Sequence, residues 1–256
     1  MKKVPGKHFW LLMTMTGALI FGAPALVSAS EEITSTSTEN STADHSGEGQ
    51  ISKPKYLENA ENSGEEIISD ESPTDNTYGY YTIMGETTVY VDEMCSLYNS
   101  QGCTYPSEEL SSGGAPDIET FCDIIAEEAN AENVRGEVVF AQAMLETGYL
   151  SFVGDVDISQ YNFAGMGATG NGVKGNSFST VRIGIRAQVQ HLKCYASTEK
   201  LNGDCVDPRW GEWLRGKAPY VEWLSIPNNP YGTGWASSAT YANSIKSIME
   251  SINKCK

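Results

Sequence analysis

Basic residues and histidine are scarce in this sequence. It contains 17 Lys and Arg against 33 Asp and Glu, with three His, and its formal net charge is −16. No stretch forms the basic stripe that binds nucleic acid or an anionic membrane surface, which argues against both partners. Because His8 and His45 fall near the N-terminus, no His triad or zinc set can be built, and we expect neither a metal nor a cofactor.

The sequence also lacks any C-x-x-C pair, although it contains six cysteines. Zinc binding and thioredoxin-like chemistry are therefore disfavoured, and the even number of cysteines favours disulfides. A catalytic pair between His191 and Cys194 is the less favoured alternative. Six cysteines allow 15 connectivities. We predict two disulfides that close short loops and one that joins the remaining cysteines: Cys95–Cys103, Cys194–Cys205 and Cys122–Cys255.

Long hydrophobic runs are absent except near the N-terminus. Three lysines precede the apolar run 9–21, and the small-residue site 27–29 follows it. This pattern predicts a secretory signal peptide over residues 1–29, cleaved after Ala29. The run is shorter than the ~20 residues of a spanning helix, so an uncleaved anchor is the less favoured alternative. We expect a secreted protein of the extracellular space or cell wall, without membrane contact after cleavage.

Residues 30–77 contain few large apolar side chains. They are rich in Ser, Thr, Glu and Asn, and can bury too little apolar surface to offset the entropy of ordering the backbone. We predict a disordered acidic linker, with a calcium-binding or partner-recruiting tail as the alternative. Residues 78–117, with a helix over Val89–Asn99, should form a short helical segment docked on a domain at 118–256.

The rest of the chain alternates helical periodicity with one glycine-rich excursion. Asp117 is a suitable N-cap for a helix that places Glu128 on its outer face, and helical spacing returns at Val181–Ala196 and after Tyr241. Residues 152–178 contain six glycines, a composition typical of turns and short strands. The sequence predicts a mainly helical α+β fold in which a small β lobe faces a helical lobe across a cleft.

The stretch Ala141–Gly148 places one carboxylate at the end of an apolar helix. We predict Asn133 as the N-cap, one inward apolar face, and Gly148 as the left-handed residue that ends the helix. Glu146 then lies in the last turn, where the helix dipole disfavours negative charge and should raise the pKa of the carboxyl group. A general acid needs a raised pKa. The alternative is an ordinary solvated Glu.

Five segments resemble successive blocks of the bacterial glucosaminidase domain, glycoside hydrolase family 73, and stand in that family's order. The resemblance covers residues 118–256, and residues 83–85 with 105–107 resemble a preceding segment of clostridial-type members. It implies a lysozyme-like α+β fold and hydrolysis of the β-1,4 bond after N-acetylglucosamine in peptidoglycan. The blocks are A-Q-A-M-L-E-T-G-Y (141–149), N-F-A-G-M-G-A (162–168), G-I-R-A-Q-V-Q-H-L-K-C-Y-A (184–196), G-W-A (234–236) and Y-A-N-S-I (241–245).

The resemblance also implies roles for two residues at the reaction centre. Glu146 matches the catalytic Glu that protonates the glycosidic oxygen as the sugar becomes oxocarbenium-like. Tyr241 matches a Tyr that lies near this acid in the family, although its spacing with Ile245 also fits a core aromatic. Gln142, one turn before Glu146, is expected to support it by hydrogen bonding.

Five residues are expected to bind substrate, namely Gln142 and four residues that follow it in the chain. Asn162, Phe163 and Gly165 match the block that lines the cleft beside the sugar, and a purely structural turn is the alternative. Trp235 lies in a matched block and is the tryptophan best placed to stack on a sugar ring, with core packing as the alternative.

The sequence departs from the family in the position of a second carboxylate. Some members carry an acid thirty to forty residues after the catalytic Glu, whereas residues 158–198 contain none. Asp155 and Asp157 are the nearest candidates. A base or nucleophile must lie about 5 to 10 Å from the acid. We favour the alternative in which the 2-acetamido oxygen of the substrate attacks, with Tyr241 helping to hold it.

These observations predict a secreted, monomeric, metal-free peptidoglycan hydrolase of the N-acetylglucosaminidase type. One alternative is a lytic transglycosylase, in which the 6-hydroxyl of the sugar replaces water. A second is a non-catalytic wall-binding module, and cleavage of glycoprotein chitobiose cores is a further possible activity.

Overall fold

The computed structural model describes residues 74–75, 79–170 and 172–255. The predicted signal peptide at 1–29 and most of the predicted linker at 30–77 lie outside the described residues. Strand β1 (Thr74–Asp75) falls inside that linker and pairs antiparallel with β2 (Tyr80–Tyr81). In this described part of the chain, no helix is both long and apolar enough to cross a membrane.

Six α-helices dominate the described structure, so the mainly helical prediction is confirmed. Short 3-10 helices cover Ile158–Gln160, Glu212–Leu214, Val221–Leu224 and Ile226–Asn228. The α-helices are α1 (Val91–Ser100), α2 (Ser107–Ser111), α3 (Ile118–Ala131), α4 (Gly136–Thr147), α5 (Val181–Ala196) and α6 (Tyr241–Asn253).

Helix α4 lies at the centre of the fold and packs against α3 and α6. Every residue from Gly136 to Met144 is buried, so the prediction of a single inward face is wrong. The predicted N-cap is also wrong, because α4 begins after Arg135 and Asn133 has a φ of 56°. Gly148 ends the helix in the left-handed conformation, with φ 59° and ψ 54°, as predicted.

Helices α3 and α5 pack side by side, and local signals set both starting points. Asp117 accepts a 2.8 Å hydrogen bond from the Thr120 amide, as expected of the predicted cap. Glu128, predicted to face outward, is instead buried because two arginines of α5 pair with it. Arg182 Nη1 lies 2.9 Å from Glu128 Oε1, and Arg186 Nε lies 2.7 Å from its Oε2.

The glycine-rich excursion folds as a small lobe of turns with one hairpin. Strand β3 (Ala168–Gly170) pairs antiparallel with β4 (Val173–Lys174). The buried Asn162 closes the turn before β3, because its Oδ1 accepts from the Met166 amide and its Nδ2 donates to the Met166 carbonyl, both at 2.9 Å. The hairpin therefore follows directly from a fixed turn.

The segment before α3 packs onto the rest of the fold. Ile83 is fully buried, and its amide donates to the Pro219 carbonyl at 3.0 Å. The hydroxyl of Tyr81 donates to Glu137 Oε1 in the first turn of α4 at 2.8 Å. Helix α1 packs against α3 and α6, so this segment shares one hydrophobic core with the helical domain.

The cysteines differ from the prediction. All six are free thiols in the structure, so none of the predicted disulfides is formed there. The packing of α1 on α3 instead brings the thiol of Cys95 into hydrogen-bonding contact with that of Cys122. The other four, Cys103, Cys194, Cys205 and Cys255, include two whose thiols donate to loop carbonyls, Cys194 to Gly211 and Cys205 to Asp207.

Candidate active site

Glu146 lies in the last turn of α4, half-buried beside the glycine-rich lobe. Burial raises the pKa of its carboxyl group from 4.5 to about 7, because a charged carboxylate is poorly solvated there. The direction agrees with the sequence-based expectation. Its largest cause is desolvation by the surrounding fold, which the position in the helix does not reveal.

Tyr241 is the first residue of α6 and is buried against Glu146. Its hydroxyl donates a 2.6 Å hydrogen bond to Glu146 Oε1. This bond lowers the pKa of Glu146 but does not offset the effect of burial. Burial and the neighbouring carboxyl group raise the pKa of Tyr241 well above 10, so the phenol keeps its proton. The structure therefore brings together the two residues expected at the reaction centre.

Gln142 contacts Tyr241, whose hydroxyl in turn donates to Glu146. Its Nε2 donates to the Tyr241 hydroxyl oxygen at 2.9 Å. Gln188 of α5, which the sequence analysis did not single out, donates from its Nε2 to Gln142 Oε1 at 2.9 Å and to the Val139 carbonyl at 3.1 Å. The available signal for Gln188 was an amide among the apolar residues on the buried face of α5.

Gly165 is the part of the glycine-rich lobe that approaches Glu146. Its φ is +61°, and a Cβ added there would lie 3.4 Å from Glu146 Oε2. Glycine at this position therefore allows the left-handed backbone conformation, and it lets the backbone lie close to the carboxyl group of Glu146.

Asn162 and Phe163 were expected to bind substrate, but their side chains are buried inside the protein. Asn162 is 1% exposed and uses its side-chain amide to close the turn around Met166. Phe163 is fully buried and packs edge-on against Phe121 and Phe152, with ring centroids 5.0 and 5.9 Å apart. Both side chains are occupied inside the protein, which is the structural alternative. Both side chains support the turn that contains Gly165.

Asp155 and Asp157 are exposed and line a separate cavity of about 490 Å³ that also includes Lys174. Asp157 caps a 3-10 helix, because its Oδ1 accepts from the Ser159 amide at 3.0 Å and from its hydroxyl at 2.6 Å. These bonds lower the pKa of Asp157. Neither acid is among the residues that the structure records in contact with Glu146.

Trp235 is half-buried and packs against two residues of α5. Its ring meets His191 edge-on at 4.9 Å and Tyr195 at 6.0 Å. The His191 Nδ1 lies 2.8 Å from Asp207 Oδ2, so its ring is held by a carboxylate and not by Cys194. The alternative of core packing accounts for these contacts. Among the described residues, no cluster of His, Cys, Asp and Glu is suited to hold a metal ion.

The pair of Glu146 and Tyr241 is chemically suited to donate a proton. A carboxyl group with a pKa of about 7 is partly protonated at neutral pH, which is the condition for general acid catalysis. After the proton leaves, the phenol that donates to Oε1 stabilises the resulting carboxylate.

Comparison with known proteins gives one family and one relative. The model of the family described as mannosyl-glycoprotein endo-beta-N-acetylglucosaminidase matches residues 122–254. A Borreliella burgdorferi protein named "Uncharacterized protein" is 40% identical over 133 residues, which are 52% of this chain and 61% of that protein. The match therefore spans less than two thirds of the relative's length. No solved structure matches the chain.

Proposed function

Because this chain belongs to the mannosyl-glycoprotein endo-beta-N-acetylglucosaminidase family of glycoside hydrolases, we propose that it is a peptidoglycan N-acetylglucosaminidase with Glu146 as its general acid. The bond to be cleaved is the β-1,4 linkage between N-acetylglucosamine and N-acetylmuramic acid. One observation carries the proposal: the carboxyl group of Glu146 has a pKa raised to about 7 and is held by the Tyr241 hydroxyl.

Glu146 acts by protonating the glycosidic oxygen as the bond to the sugar anomeric carbon breaks. Positive charge then develops on the sugar ring, and the leaving sugar departs as an alcohol. The carboxylate formed at this moment accepts the 2.6 Å hydrogen bond from Tyr241. This interaction is stronger with the anion than with the neutral acid, so it favours the proton transfer itself.

The second catalytic group is the 2-acetamido oxygen of the substrate. It attacks the anomeric carbon and forms a cyclic oxazolinium ion, which water then opens to give a hemiacetal. One feature of the described residues supports this route over a protein carboxylate: Asp157 is engaged as a helix cap.

Gly165 is proposed to border the substrate cleft of a lysozyme-like fold. In this arrangement the glycine-rich lobe faces the helical lobe, and the sugar at the cleavage point lies beside Gly165 and Glu146. The close approach of Gly165 to Glu146 Oε2 supports the arrangement, because a side chain at 165 would fill the space beside the acid. Trp235 remains a candidate for sugar stacking at the same cleft.

The site of action is proposed to be the cell wall, reached by secretion with residues 1–29 as a signal peptide. The lysine-flanked apolar run in the sequence supports this step. A secreted protein meets peptidoglycan strands without crossing the membrane again.

Product analysis tests the reaction. Digestion of purified peptidoglycan followed by mass spectrometry should yield chains with reducing N-acetylglucosamine ends. Chains ending in 1,6-anhydro-muramic acid would instead identify a lytic transglycosylase. Binding to the wall without release of fragments would identify a non-catalytic module.

A further inference from the structure

A chain of buried hydrogen bonds runs from the backbone of α4 to the carboxyl group of Glu146. It begins at the Val139 carbonyl, which accepts from Gln188 Nε2 at 3.1 Å. The same nitrogen donates to Gln142 Oε1 at 2.9 Å. Because a backbone carbonyl can only accept, turning the Gln188 amide over would set two oxygens against each other. The main chain therefore fixes the orientation of Gln188.

The orientation of Gln188 fixes that of the next two links. Gln142 Oε1 is occupied by the donor from Gln188, so its Nε2 faces Tyr241 and donates to the phenol oxygen at 2.9 Å. That oxygen then acts as an acceptor, and its own proton points to Glu146 Oε1 at 2.6 Å. Gln142 and Gln188 are both fully buried, so solvent offers neither amide an alternative partner.

This series of hydrogen bonds distinguishes the two carboxyl oxygens of Glu146. Oε1 receives the proton of Tyr241, so the acidic proton of the neutral carboxyl group belongs on Oε2. Oε2 is also the oxygen that lies 3.4 Å from the Cβ position of Gly165, on the side of the glycine-rich lobe. We propose that Gln188 is a positioning residue that acts through Gln142 and Tyr241 to hold the acidic proton on Oε2. Its catalytic consequence rests on the proposed function of Glu146.

Gln188 lowers the stability of the protein interior. Its Oε1 is buried and has no hydrogen-bond partner among the described residues. An unsatisfied buried acceptor lowers stability, and an apolar side chain of similar shape would avoid it. Gln188→Met should therefore fold, and it removes the donor that orients Gln142.

The first measurement follows Glu146 itself and does not depend on activity. The wild-type protein is labelled with ¹³C at the glutamate carboxyl groups. The NMR signal that disappears in Glu146→Gln belongs to Glu146, and its chemical shift as a function of pH gives the pKa of this residue. In Gln188→Met, Gln142 is free to turn over and accept from Tyr241, and the neutral acid can place its proton on Oε1. The neutral carboxyl group then donates its own O–H to Tyr241, which is a stronger hydrogen bond than the one it accepts from the phenol in wild type, so the pKa of Glu146 should rise by about one unit.

The second measurement is the pH dependence of kcat. With the proton shared between two oxygens, kcat of Gln188→Met should fall about tenfold on the acidic plateau. The alkaline limb should move to higher pH, and KM should stay unchanged because Gln188 is buried away from substrate. A merely destabilising substitution would leave this limb in place.

Gln190→Met is the matched control. Gln190 is equally buried on the same helix and bonds the loop at residues 204–207 instead of Gln142. It should leave the Glu146 titration at its wild-type position. Gln142→Met breaks the next link of the chain and should reproduce the shift if Gln188→Met does not fold.

A wild-type titration of Glu146 in both Gln188→Met and Gln142→Met would overturn the proposal. A shift of equal size in Gln190→Met would overturn it as well, because the effect would then not travel through Gln142. Failure of the proposed function has a different signature: Glu146→Gln would remain active, whatever the titration of Glu146 shows.

Discussion

The hydroxyl of Tyr241 donates a 2.6 Å hydrogen bond to Glu146 Oε1 and joins the start of α6 to the end of α4. These residues are 95 positions apart in the chain. The contact lowers the pKa of a carboxyl group that burial has raised to about 7. The hydrogen bond keeps the pKa of Glu146 close to neutral pH, and it gives the carboxylate a partner after proton transfer.

Tyr241→Phe should move the alkaline limb of the pH profile of kcat to higher pH. The substitution removes the hydrogen bond that opposes the effect of burial at Glu146, so the pKa of the carboxyl group should rise above 7. The carboxylate formed during the reaction also loses a donor, and kcat should fall about 10- to 100-fold. Tyr105→Phe removes a similar hydroxyl, bonded to the Ala115 carbonyl, and should leave the limb unchanged. An unmoved limb in Tyr241→Phe would argue against the role of the phenol.

Glu146→Gln should stabilise the protein at pH 8 but not at pH 4. The folded-state pKa of about 7 lies above the ordinary 4.5, so the folded state binds the proton more tightly. This favourable contribution is fully present below pH 4.5 and is lost as the pH rises through 7. An amide carries no charge to desolvate, so the gain at pH 8 can reach about 3 kcal/mol. Urea unfolding at both pH values measures it, and equal effects at pH 4 and pH 8 would contradict the raised pKa.

Gly165→Ala should reduce kcat/KM by about 10- to 100-fold. The added Cβ would lie 3.4 Å from Glu146 Oε2 and occupy space that the glycosidic oxygen needs. The positive φ adds a backbone penalty of about 1 kcal/mol. Gly172→Ala is the control, because its φ is +82° and a Cβ there would meet nothing within 4 Å. If both variants lose activity equally, backbone strain and not obstruction is the cause.

Asp155→Asn and Asp157→Asn should each keep kcat within about threefold of wild type. Substrate assistance requires no protein carboxylate as nucleophile. Asn is also a good N-cap, so Asp157→Asn should retain the bond from the Ser159 amide. Steady-state assays on peptidoglycan fragments provide the test. A loss of about 10³-fold in either variant would identify that acid as the second catalytic group.

Mild oxidation with a disulfide-forming reagent such as diamide should link Cys95 to Cys122. Their thiols are already in contact between α1 and α3. The reagent accepts the two electrons and two protons released when the sulfur–sulfur bond forms. The bond should stabilise the protein by about 3–4 kcal/mol, because it closes a loop of intermediate length. Peptide mapping without reduction measures the pairing, and a Cys95–Cys103 link would contradict the observed packing.

Local signals were enough to predict the end of α4 and the start of α3. Gly148 ends α4 and Asp117 caps α3, because each needs only its own backbone conformation or an amide three residues away. The same kind of signal identified Glu146 as a carboxyl group at a helix end. Asn133 was a wrong cap because the chain bends there with positive φ before α4 starts.

The features that depend on packing between distant segments were not predictable in this way. Gln142 and Gln188 are 46 residues apart, and only the packed helices show that their amides meet. The burial of Glu128 likewise depends on arginines of another helix. The cause of the raised pKa at Glu146 belongs to the same class, because desolvation is a property of the surrounding fold.

The most direct test compares wild type and Glu146→Gln in the release of reducing N-acetylglucosamine ends from peptidoglycan. Gln keeps the shape of the side chain and can accept from Tyr241, but it carries no acidic proton. We expect the rate to fall by about 10³-fold or more while the variant stays folded. A folded Glu146→Gln variant that releases these ends at the wild-type rate would contradict the role of Glu146 as the general acid.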